Sequence, residues 1–353
     1  ILNNRSVANA IPRLALLGLA MLVAPAANAA VSFTVDTVAD LLDDDTSDGV
    51  CHTSANSCSL RAAIMQANKI SGPGATILLP AGIYTLARPA TVADGDDNGD
   101  LNLTTPVSLG QDITILGAGA AATIIDATQI DRVLHVAAGR AANITGVTLR
   151  NGAVPSTTGG GIYNQGTLTL TNTTVSGNGG AYFGGGIYNQ GTLTLSNSTL
   201  SANTCEGAGA GVHNEDVLSV YSSTISGNNA SNGPGGGIVN NGTLLLSLST
   251  LSGNLAYNYG GQSMISGNRA ILGGGLYNAT VLYLTNSTIS SNRSDADGGG
   301  IYNNSIGTTN VYNSTIAFNE ADSDADPGGG SGGDCSLEMP VAMPPTSENV
   351  VQP

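Results

Sequence analysis

One twelve-residue string occurs twice in the chain without a single change, and this repetition restricts the fold more than any other feature. GGGIYNQGTLTL fills residues 159–170 and again residues 184–195, so the spacing is 25 residues. Related glycine-rich segments begin at residues 209, 235, 273 and 298, with spacings of 25, 26, 38 and 25. Such a period indicates a solenoid, in which each unit buries its apolar side chains against its neighbours.

Each unit contains three short segments with the pattern of β-strands. Leu168 and Leu170 alternate with threonines, as in a half-buried strand, and Ile162 and Val175 mark an aliphatic position in each of the other two. Three strands per unit, separated by glycine and asparagine turns, predict an all-β fold in which each unit is one coil of a parallel β-helix. The leucine-rich repeat has an overlapping period, but L-T-L-T-N is one residue short of its consensus, and no segment between units has a helical pattern.

Two further features of the repeats predict details of the coils. Asparagines that end successive units, such as Asn178 and Asn203, are expected to stack as a ladder of side-chain amides. Asn172 and Asn197 mark an earlier bend, where asparagine tolerates a left-handed turn. The 38-residue spacing contains YGGQSMISGN at 259–268, which predicts an irregular or missing coil at that place.

The ends of the chain differ in composition from the repeats. Residues 1–29 have the features of a secretory signal peptide, with two arginines, an apolar run and an A-x-A site, and predict a protein that is secreted or held at a bacterial cell surface. No later segment is apolar enough for a transmembrane span. Residues 321–353 are rich in Gly, Pro and Asp, a composition typical of a disordered tail.

Charge and cysteine content restrict the partners and the covalent structure. The net charge of −15 excludes a phosphate-binding basic surface, so nucleic acid is not an expected partner. An exported chain can form disulfides, and Cys51 and Cys58 are close enough in sequence to be the expected pair. Cys205 and Cys335 lie several coils apart in a solenoid and are not expected to pair unless the tail folds back.

Residues 30–150 precede the regular repeats of residues 151–320 and contain the best helix candidate of the mature chain. Within CSLRAAIMQAN, at 58–68, Leu60, Ala63, Ile64 and Ala67 recur at helical spacing, and Ser57 or Ser59 is placed to cap the start. The first coil of a β-helix exposes unpaired strand edges and an apolar cross-section. We therefore expect this helix to cover the N-terminal end of the solenoid.

The same segment resembles the C-[ST]-L-R-E-A-I-x-x-A-N signature of exported bacterial proteins in which a CSLREA domain leads into a right-handed parallel β-helix. The likeness continues through TILLPAGIYTL at 76–86 and ITGVTLRNG at 144–152, and it implies fold and export rather than an activity. Ala62 stands where that family usually has Glu. The GGG[IL]Y repeats are also similar, more loosely, to those of chlamydial polymorphic outer-membrane proteins, which are surface adhesins.

The sequence offers few residues for catalysis, and we assign no catalytic residue. A pectate-lyase-like enzyme needs carboxylates and a base on one outer sheet, whereas the charges of the repeats do not share a coil position. The best local cluster is His213-Asn214-Glu215-Asp216, where other units have Tyr-Asn-Gln-Gly. Oxygen ligands at alternate positions make DGDDNGD a candidate Ca²⁺ loop, although the expected terminal Glu is replaced by Thr105. Its ligands are Asp94, Asp96, Asn98 and Asp100.

A row of tyrosines has two interpretations, a structural stripe that covers the outer sheet, which the pattern favours, and a surface against which sugars lie. Each follows an inward-facing Ile or Leu, so the side chains are expected to point outward and to stack from coil to coil as an aromatic stripe. The tyrosines are Tyr163, Tyr188, Tyr277 and Tyr302, and His213 and Val239 interrupt them. The sequence thus favours an exported scaffold for adhesion to an extracellular polysaccharide or a cell-surface glycan. A polysaccharide lyase or glycoside hydrolase of the same fold is the alternative.

Overall fold

The structure, a computed structural model, describes residues 31–70, 74–90, 98–104, 112–256, 272–295, 297–321, 335–337 and 350–351. The predicted signal peptide, Asp94 and Asp96 of the candidate Ca²⁺ loop, and YGGQSMISGN all lie outside these residues. Short parallel strands and a single helix make up the regular elements of the described part.

The N-terminal part contains β1 (Val31–Thr34), α1 (Leu60–Lys69), β2 (Ala75–Leu79), β3 (Gly82–Thr85), β4 (Leu101–Leu103), β5 (Ile113–Gly117), β6 (Thr123–Asp126), β7 (Leu134–Val136), β8 (Ala141–Thr145) and β9 (Thr148–Arg150). The first regular repeats contain β10 (Ile162–Asn164), β11 (Thr167–Thr171), β12 (Thr174–Ser176), β13 (Ile187–Asn189), β14 (Thr192–Ser196), β15 (Thr199–Ser201), β16 (Thr204–Cys205), β17 (Val212–Asn214), β18 (Val217–Tyr221), β19 (Thr224–Ser226) and β20 (Asn229–Ala230). The remaining strands are β21 (Ile238–Asn240), β22 (Thr243–Ser247), β23 (Thr250–Ser252), β24 (Leu255–Ala256), β25 (Leu276–Asn278), β26 (Val281–Thr285), β27 (Thr288–Ser290), β28 (Arg293–Ser294), β29 (Ile301–Asn303), β30 (Thr308–Tyr312), β31 (Thr315–Ala317), β32 (Cys335–Leu337) and β33 (Val350–Val351).

These strands stack into three long parallel sheets, each of which receives one strand from every coil. The first sheet has the order β1-β2-β5-β8-β11-β14-β18-β22-β26-β30, the second β4-β7-β10-β13-β17-β21-β25-β29-β32, and the third β3-β6-β9-β12-β15-β19-β23-β27-β31-β33. A fourth, short sheet has the order β16-β20-β24-β28. The predicted right-handed parallel β-helix is confirmed. Right-handed coils are the hand that crossover connections between parallel strands almost always adopt.

The register explains why the sequence repeats. Leu168 pairs with Leu193 in the first sheet and Ile162 with Ile187 in the second, so equivalent side chains meet in neighbouring coils. Their aliphatic side chains are fully buried in one hydrophobic core that runs along the solenoid. Burial of each such side chain stabilises the fold by about 1.5 to 3 kcal/mol relative to exposure.

Across the 38-residue spacing the stack is unbroken. Ile238 pairs directly with Leu276, and Leu244 pairs with Leu282. The unit before the long spacing and the unit after it are therefore neighbouring coils, and the additional length falls within 257–271, outside the described residues. The predicted missing coil leaves no gap in the three long sheets.

Asparagine ladders run through the coils as the sequence predicts. Asn178 Nδ2 donates to Asn203 Oδ1 over 3.0 Å, and Asn203 Nδ2 donates to Asn228 Oδ1 over 2.9 Å. A second ladder, not foreseen from the sequence, uses the asparagine of GGGIYN, with Asn164 Nδ2 donating to Asn189 Oδ1 over 2.7 Å. These buried amides form polar rows beside the hydrophobic core, in which each asparagine side chain donates to an acceptor one coil away.

Helix α1 covers the N-terminal end of the core, as predicted. Ser59 caps it by accepting a hydrogen bond from the Ala62 backbone N–H, and the expected disulfide joins Cys51 to Cys58 just before the helix. Arg61 is buried and pairs with Asp40 over 2.6 Å while also donating to the carbonyls of 98–100. Arg61 thus ties the helix to the loop that begins the second sheet.

Two short segments of the C-terminal tail, residues 335–337 and 350–351, pair with the last coil. β32 pairs with β29 at the end of the second sheet, and β33 pairs with β31 at the end of the third. The last coil of a parallel solenoid presents unpaired backbone donors and acceptors, and a short strand can bond to them whatever its side chains. The Gly, Pro and Asp content of the tail indicates that it cannot bury a hydrophobic core. Backbone hydrogen bonds to the last coil do not require such a core.

Candidate functional site

The outer face of the second sheet carries a row of aromatic side chains in register. We call His135, Tyr163, Tyr188, His213, Tyr277 and Tyr302 the aromatic stripe, which Val239 interrupts between His213 and Tyr277. Backbone pairing aligns these residues because each occupies the middle of its three-residue strand, between two buried residues. His135 belongs to the stripe through its register, although the repeat pattern does not extend to it.

The rings of the aromatic stripe lie one above another along the solenoid. His135 stacks on Tyr163 with 5.1 Å between ring centroids and an interplanar angle of 7°. Tyr163 and Tyr188 are 5.6 Å apart and tilted by 47°, and Tyr188 lies 5.3 Å from His213. Beyond Val239 the stack resumes, with Tyr277 and Tyr302 at 5.5 Å and 11°. The predicted coil-to-coil stacking of the tyrosines is therefore present on both sides of the interruption.

Accessibility differs along the aromatic stripe. Tyr163, Tyr188 and Tyr277 are half-buried, whereas Tyr302 is only 5% exposed, on the strand along which β32 pairs. The sequence did not predict that the tail would lie beside Tyr302. A ligand can therefore reach three of the four candidate tyrosines more easily than the fourth.

A row of amide side chains accompanies the aromatic rings. Tyr163 donates its hydroxyl proton to Gln190 Oε1 over 2.7 Å, and Gln190 Nε2 donates to the Tyr188 hydroxyl over 3.3 Å. At the other end of the stripe, Asn304 Nδ2 donates to the Tyr277 hydroxyl over 3.0 Å. The glutamines and asparagines occupy the position two residues after the ring, which places them on the same face of the sheet.

Two aromatic residues outside the repeat motif widen the surface beside His213. Phe183 lies 4.8 Å from His213, and Tyr182 packs edge-on against Phe183 at 4.7 Å. Tyr182 is 49% exposed, so the Tyr182–Phe183 pair adds accessible aromatic surface next to the stripe. Sequence reasoning missed both residues because they belong to AYFGGG, a departure from the repeat immediately before its glycines.

In the His213-Asn214-Glu215-Asp216 cluster, Asn214 points to the inside of the coil, whereas His213 and Glu215 contact each other on the outer face. His213 Nε2 lies 2.7 Å from Glu215 Oε1, and Asn241 Nδ2 donates to the same carboxylate oxygen over 3.0 Å. Asn214 points inward and belongs to an asparagine ladder. Burial lowers the pKa of His213, and the opposing effect of Glu215 only partly offsets it. The pair is a hydrogen-bonded acid and imidazole at the edge of the stripe.

The described part of the candidate Ca²⁺ loop has other partners. Asp100 is buried and its carboxylate faces Arg132 over 3.3 Å and accepts a hydrogen bond from Asn102 Nδ2 over 2.9 Å. The backbone carbonyl of Asn98 accepts from Arg61. No group of three or more His, Cys, Asp or Glu side chains suited to a metal occurs among the described residues. A Ca²⁺ site at Asp94, Asp96, Asn98 and Asp100 stays a prediction.

Cys205 is buried and is not part of a disulfide. Burial raises the pKa of its thiol to about 12, so the thiolate needed for nucleophilic or redox chemistry is not populated at neutral pH. Cys205 packs with Ala210 and Ala230 beside the short fourth sheet.

Comparison with known proteins gives a likeness of architecture. No protein-family model matches the chain, and no curated protein matches it. A solved structure titled "Crystal structure of pectate lyase Pel9A" superposes with a TM-score of 0.49 at 16% identity, covering 91% of this chain and 80% of that chain. At this similarity the site has to be judged from its own residues. Within the described residues, no helix has the length and apolar character to cross a bilayer.

Proposed function

We propose that the protein is an exported β-solenoid scaffold that binds glycans, at the bacterial cell surface or after secretion, through the aromatic stripe. The observation that carries the proposal is the alignment of rings, phenol hydroxyls and amides on one outer face, in two stretches separated by Val239. Aromatic and amide side chains together suit a ligand that has both apolar ring faces and many hydroxyl groups. The predicted signal peptide supports an extracellular ligand.

Adhesion without catalysis is consistent with how the polar groups of the stripe are used. Among the described residues, no three His, Cys, Asp or Glu side chains form a group suited to a metal, and His213 is 4% exposed. General acid or base catalysis needs a titrating group within hydrogen-bond reach of the substrate. A buried imidazole with a lowered pKa meets this requirement poorly.

The experiment is a glycan array probed with the full mature chain, with and without Ca²⁺. Hits are then measured by calorimetry with Tyr163→Ala and Tyr188→Ala, each of which removes a ring and a hydroxyl from the aromatic stripe. Tyr283→Ala is the matched control, because Tyr283 is an exposed tyrosine on β26, in the first sheet rather than the second. We expect both stripe variants to bind about tenfold more weakly or worse and the control to bind like the wild type.

A single observation favours the enzyme alternative, namely the 2.7 Å contact between His213 and Glu215. A polysaccharide lyase or hydrolase would release unsaturated or reducing ends from the glycans that bind. Turnover that disappears in Glu215→Gln but survives in Asp216→Asn would establish catalysis and contradict the scaffold proposal. Binding without turnover would support the scaffold.

A further inference from the structure

We propose that the ligand of the aromatic stripe is an uncharged, hydroxyl-rich polysaccharide, held by the edges, hydroxyls and amides of the stripe rather than by stacking on ring faces. This inference rests on the proposed glycan binding and specifies both the class of glycan and the way in which it is held. The ring geometry, the hydroxyl partners and the local charge each contribute an argument.

Neighbouring rings of the stripe occupy the space above and below each other's faces. A sugar stacks on an aromatic side chain by covering the face of the ring. In the stripe His135 stacks on Tyr163 at an interplanar angle of 7°, and Tyr277 on Tyr302 at 11°. Tyr188 is tilted by 47° against Tyr163 and by 38° against His213, but it lies between these two rings, with centroids 5.6 and 5.3 Å away. A ligand that approaches the sheet from outside therefore meets the ring edges and the groups attached to them.

The hydroxyl and amide groups at the ring edges form a chain of hydrogen bonds, and some of their donors remain for a ligand. Tyr163 donates to Gln190 Oε1, and the Tyr188 hydroxyl oxygen accepts from Gln190 Nε2. A phenol hydroxyl has one donor and two acceptor positions, so the Tyr188 proton remains for an acceptor on the ligand. Gln190 is exposed and offers its second amide proton in the same way. Such alternating donors and acceptors match the hydroxyl groups of a neutral sugar chain.

The charges beside the stripe disfavour an acidic polysaccharide. Glu215 and Asp216 are exposed next to His213, and the whole chain carries a net charge of −15. The cation nearest to Tyr163, Arg132, lies over its ring at 5.6 Å and faces the buried Asp100 carboxylate. A polyuronate would place carboxylates opposite carboxylates, and like charges at an interface cost affinity.

Two substitutions at one position separate edge contacts from ring stacking. Tyr188→Phe keeps the ring and removes the hydroxyl, whereas Tyr188→Ala removes both. The probes are cellohexaose, xylohexaose and mannohexaose as neutral sugars and hexagalacturonic acid as the acidic one, each titrated by calorimetry into the full mature chain. We expect a neutral probe to bind and Tyr188→Phe to weaken it about three- to tenfold, most of the loss seen in Tyr188→Ala. Tyr283→Phe is the matched control and should bind like the wild type.

Each other result has a distinct meaning. Wild-type affinity of Tyr188→Phe together with weakened binding of Tyr188→Ala would overturn the edge contacts and leave glycan binding intact. Tighter binding of hexagalacturonic acid than of every neutral probe would overturn the assignment to uncharged glycans. If none of the probes binds and the glycan array also shows no ligand, the proposed function itself fails. Far-UV circular dichroism of each variant verifies that the solenoid remains folded.

Discussion

Asn203 shows how a single residue supports the coils on both sides of it. Its Oδ1 accepts hydrogen bonds from the backbone N–H and the side chain of Asn178, and its Nδ2 donates to the Val175 carbonyl and to Asn228. All of these groups are buried, so none can turn to water if Asn203 is lost. The repeat places the asparagines of the ladder in register. The ladder in turn supplies hydrogen bonds that buried polar groups of the neighbouring coils need.

Replacing Asn203 with alanine tests this role. We expect Asn203→Ala to lower the free energy of unfolding by about 2 to 4 kcal/mol, because several buried partners lose a hydrogen bond at once. Asn143→Ala is the control, since Asn143 is exposed on β8. Urea unfolding followed by circular dichroism measures both, and equal midpoints for the two variants would contradict the role of the ladder.

The buried carboxyl of Asp126 should make the stability of the fold depend on pH. Burial acts to raise the pKa of Asp126, but hydrogen bonds from Asn151 and Thr128 and the pairing with Arg150 outweigh it, so the pKa lies below its ordinary value of 3.8. A carboxyl with a lowered folded-state pKa stabilises the fold above the unfolded pKa, and this stabilisation is lost as the pH falls toward the folded pKa.

We therefore expect the wild type to lose more stability between pH 5 and pH 3 than Asp126→Asn, which has no carboxyl to protonate. Urea midpoints at the two pH values give the comparison, with Asp112→Asn as an exposed control. Parallel pH profiles of the wild type and Asp126→Asn would show that this carboxyl does not contribute.

At the scale of elements, the first coil depends on helix α1 and on the disulfide before it. The helix packs its buried face on β2 and β4, and Arg61 fixes it to the following loop. The Cys51–Cys58 bridge closes a short loop in front of the Ser59 cap. Helix α1, its Ser59 cap and the disulfide thus lie together at the N-terminal end, and removing the disulfide should weaken the cover that they form.

Removing the bridge with the double substitution Cys51→Ser and Cys58→Ser should lower the free energy of unfolding by about 2 to 3 kcal/mol, as expected for a short closed loop. The wild type in the presence of a reductant should show the same loss. Cys205→Ala retains the bridge and should keep its response to the reductant. A reductant that leaves the wild-type midpoint unchanged would contradict the prediction.

At the scale of the whole molecule, the 25-residue coil is the unit of construction. Deleting residues 184–208 removes one complete coil and brings Ile162 opposite Val212 and Leu168 opposite Leu218, which preserves the alternation of buried and outward residues. We expect this variant to fold with the same β-sheet circular dichroism and a lower thermal midpoint, because one interface between coils is lost.

Deleting residues 184–195 is the matched control. It removes the same twelve letters that the sequence repeats but leaves half a coil, so the strands that follow have no in-register partner. We expect aggregation or loss of the β-sheet signal. If both deletions behave alike, whole-coil register is not what specifies the fold.

The sequence predicted the parts of the molecule that the repeat encodes. Buried residues such as Leu168 and the Asn178 ladder follow from the repeat, because stacking places like residues together. The helix from Leu60 lies before the repeats and was predicted from its own helical spacing. It did not predict the contact of Phe183 with His213 or the strands of the tail. In each contact one partner, Phe183 or a strand of the tail, lies outside the repeat motif, where neither spacing nor composition indicates a neighbour. The ring stacking of His135 was missed for the same reason.

The unbroken pairing of Ile238 with Leu276 across the longest spacing has an evolutionary consequence. A corner between two strands can gain a dozen residues while the coils above and below remain in contact. New loops, and with them new specificities, can therefore be acquired at one corner at a time without rebuilding the interior. The same corner is a natural place to graft a foreign peptide for display.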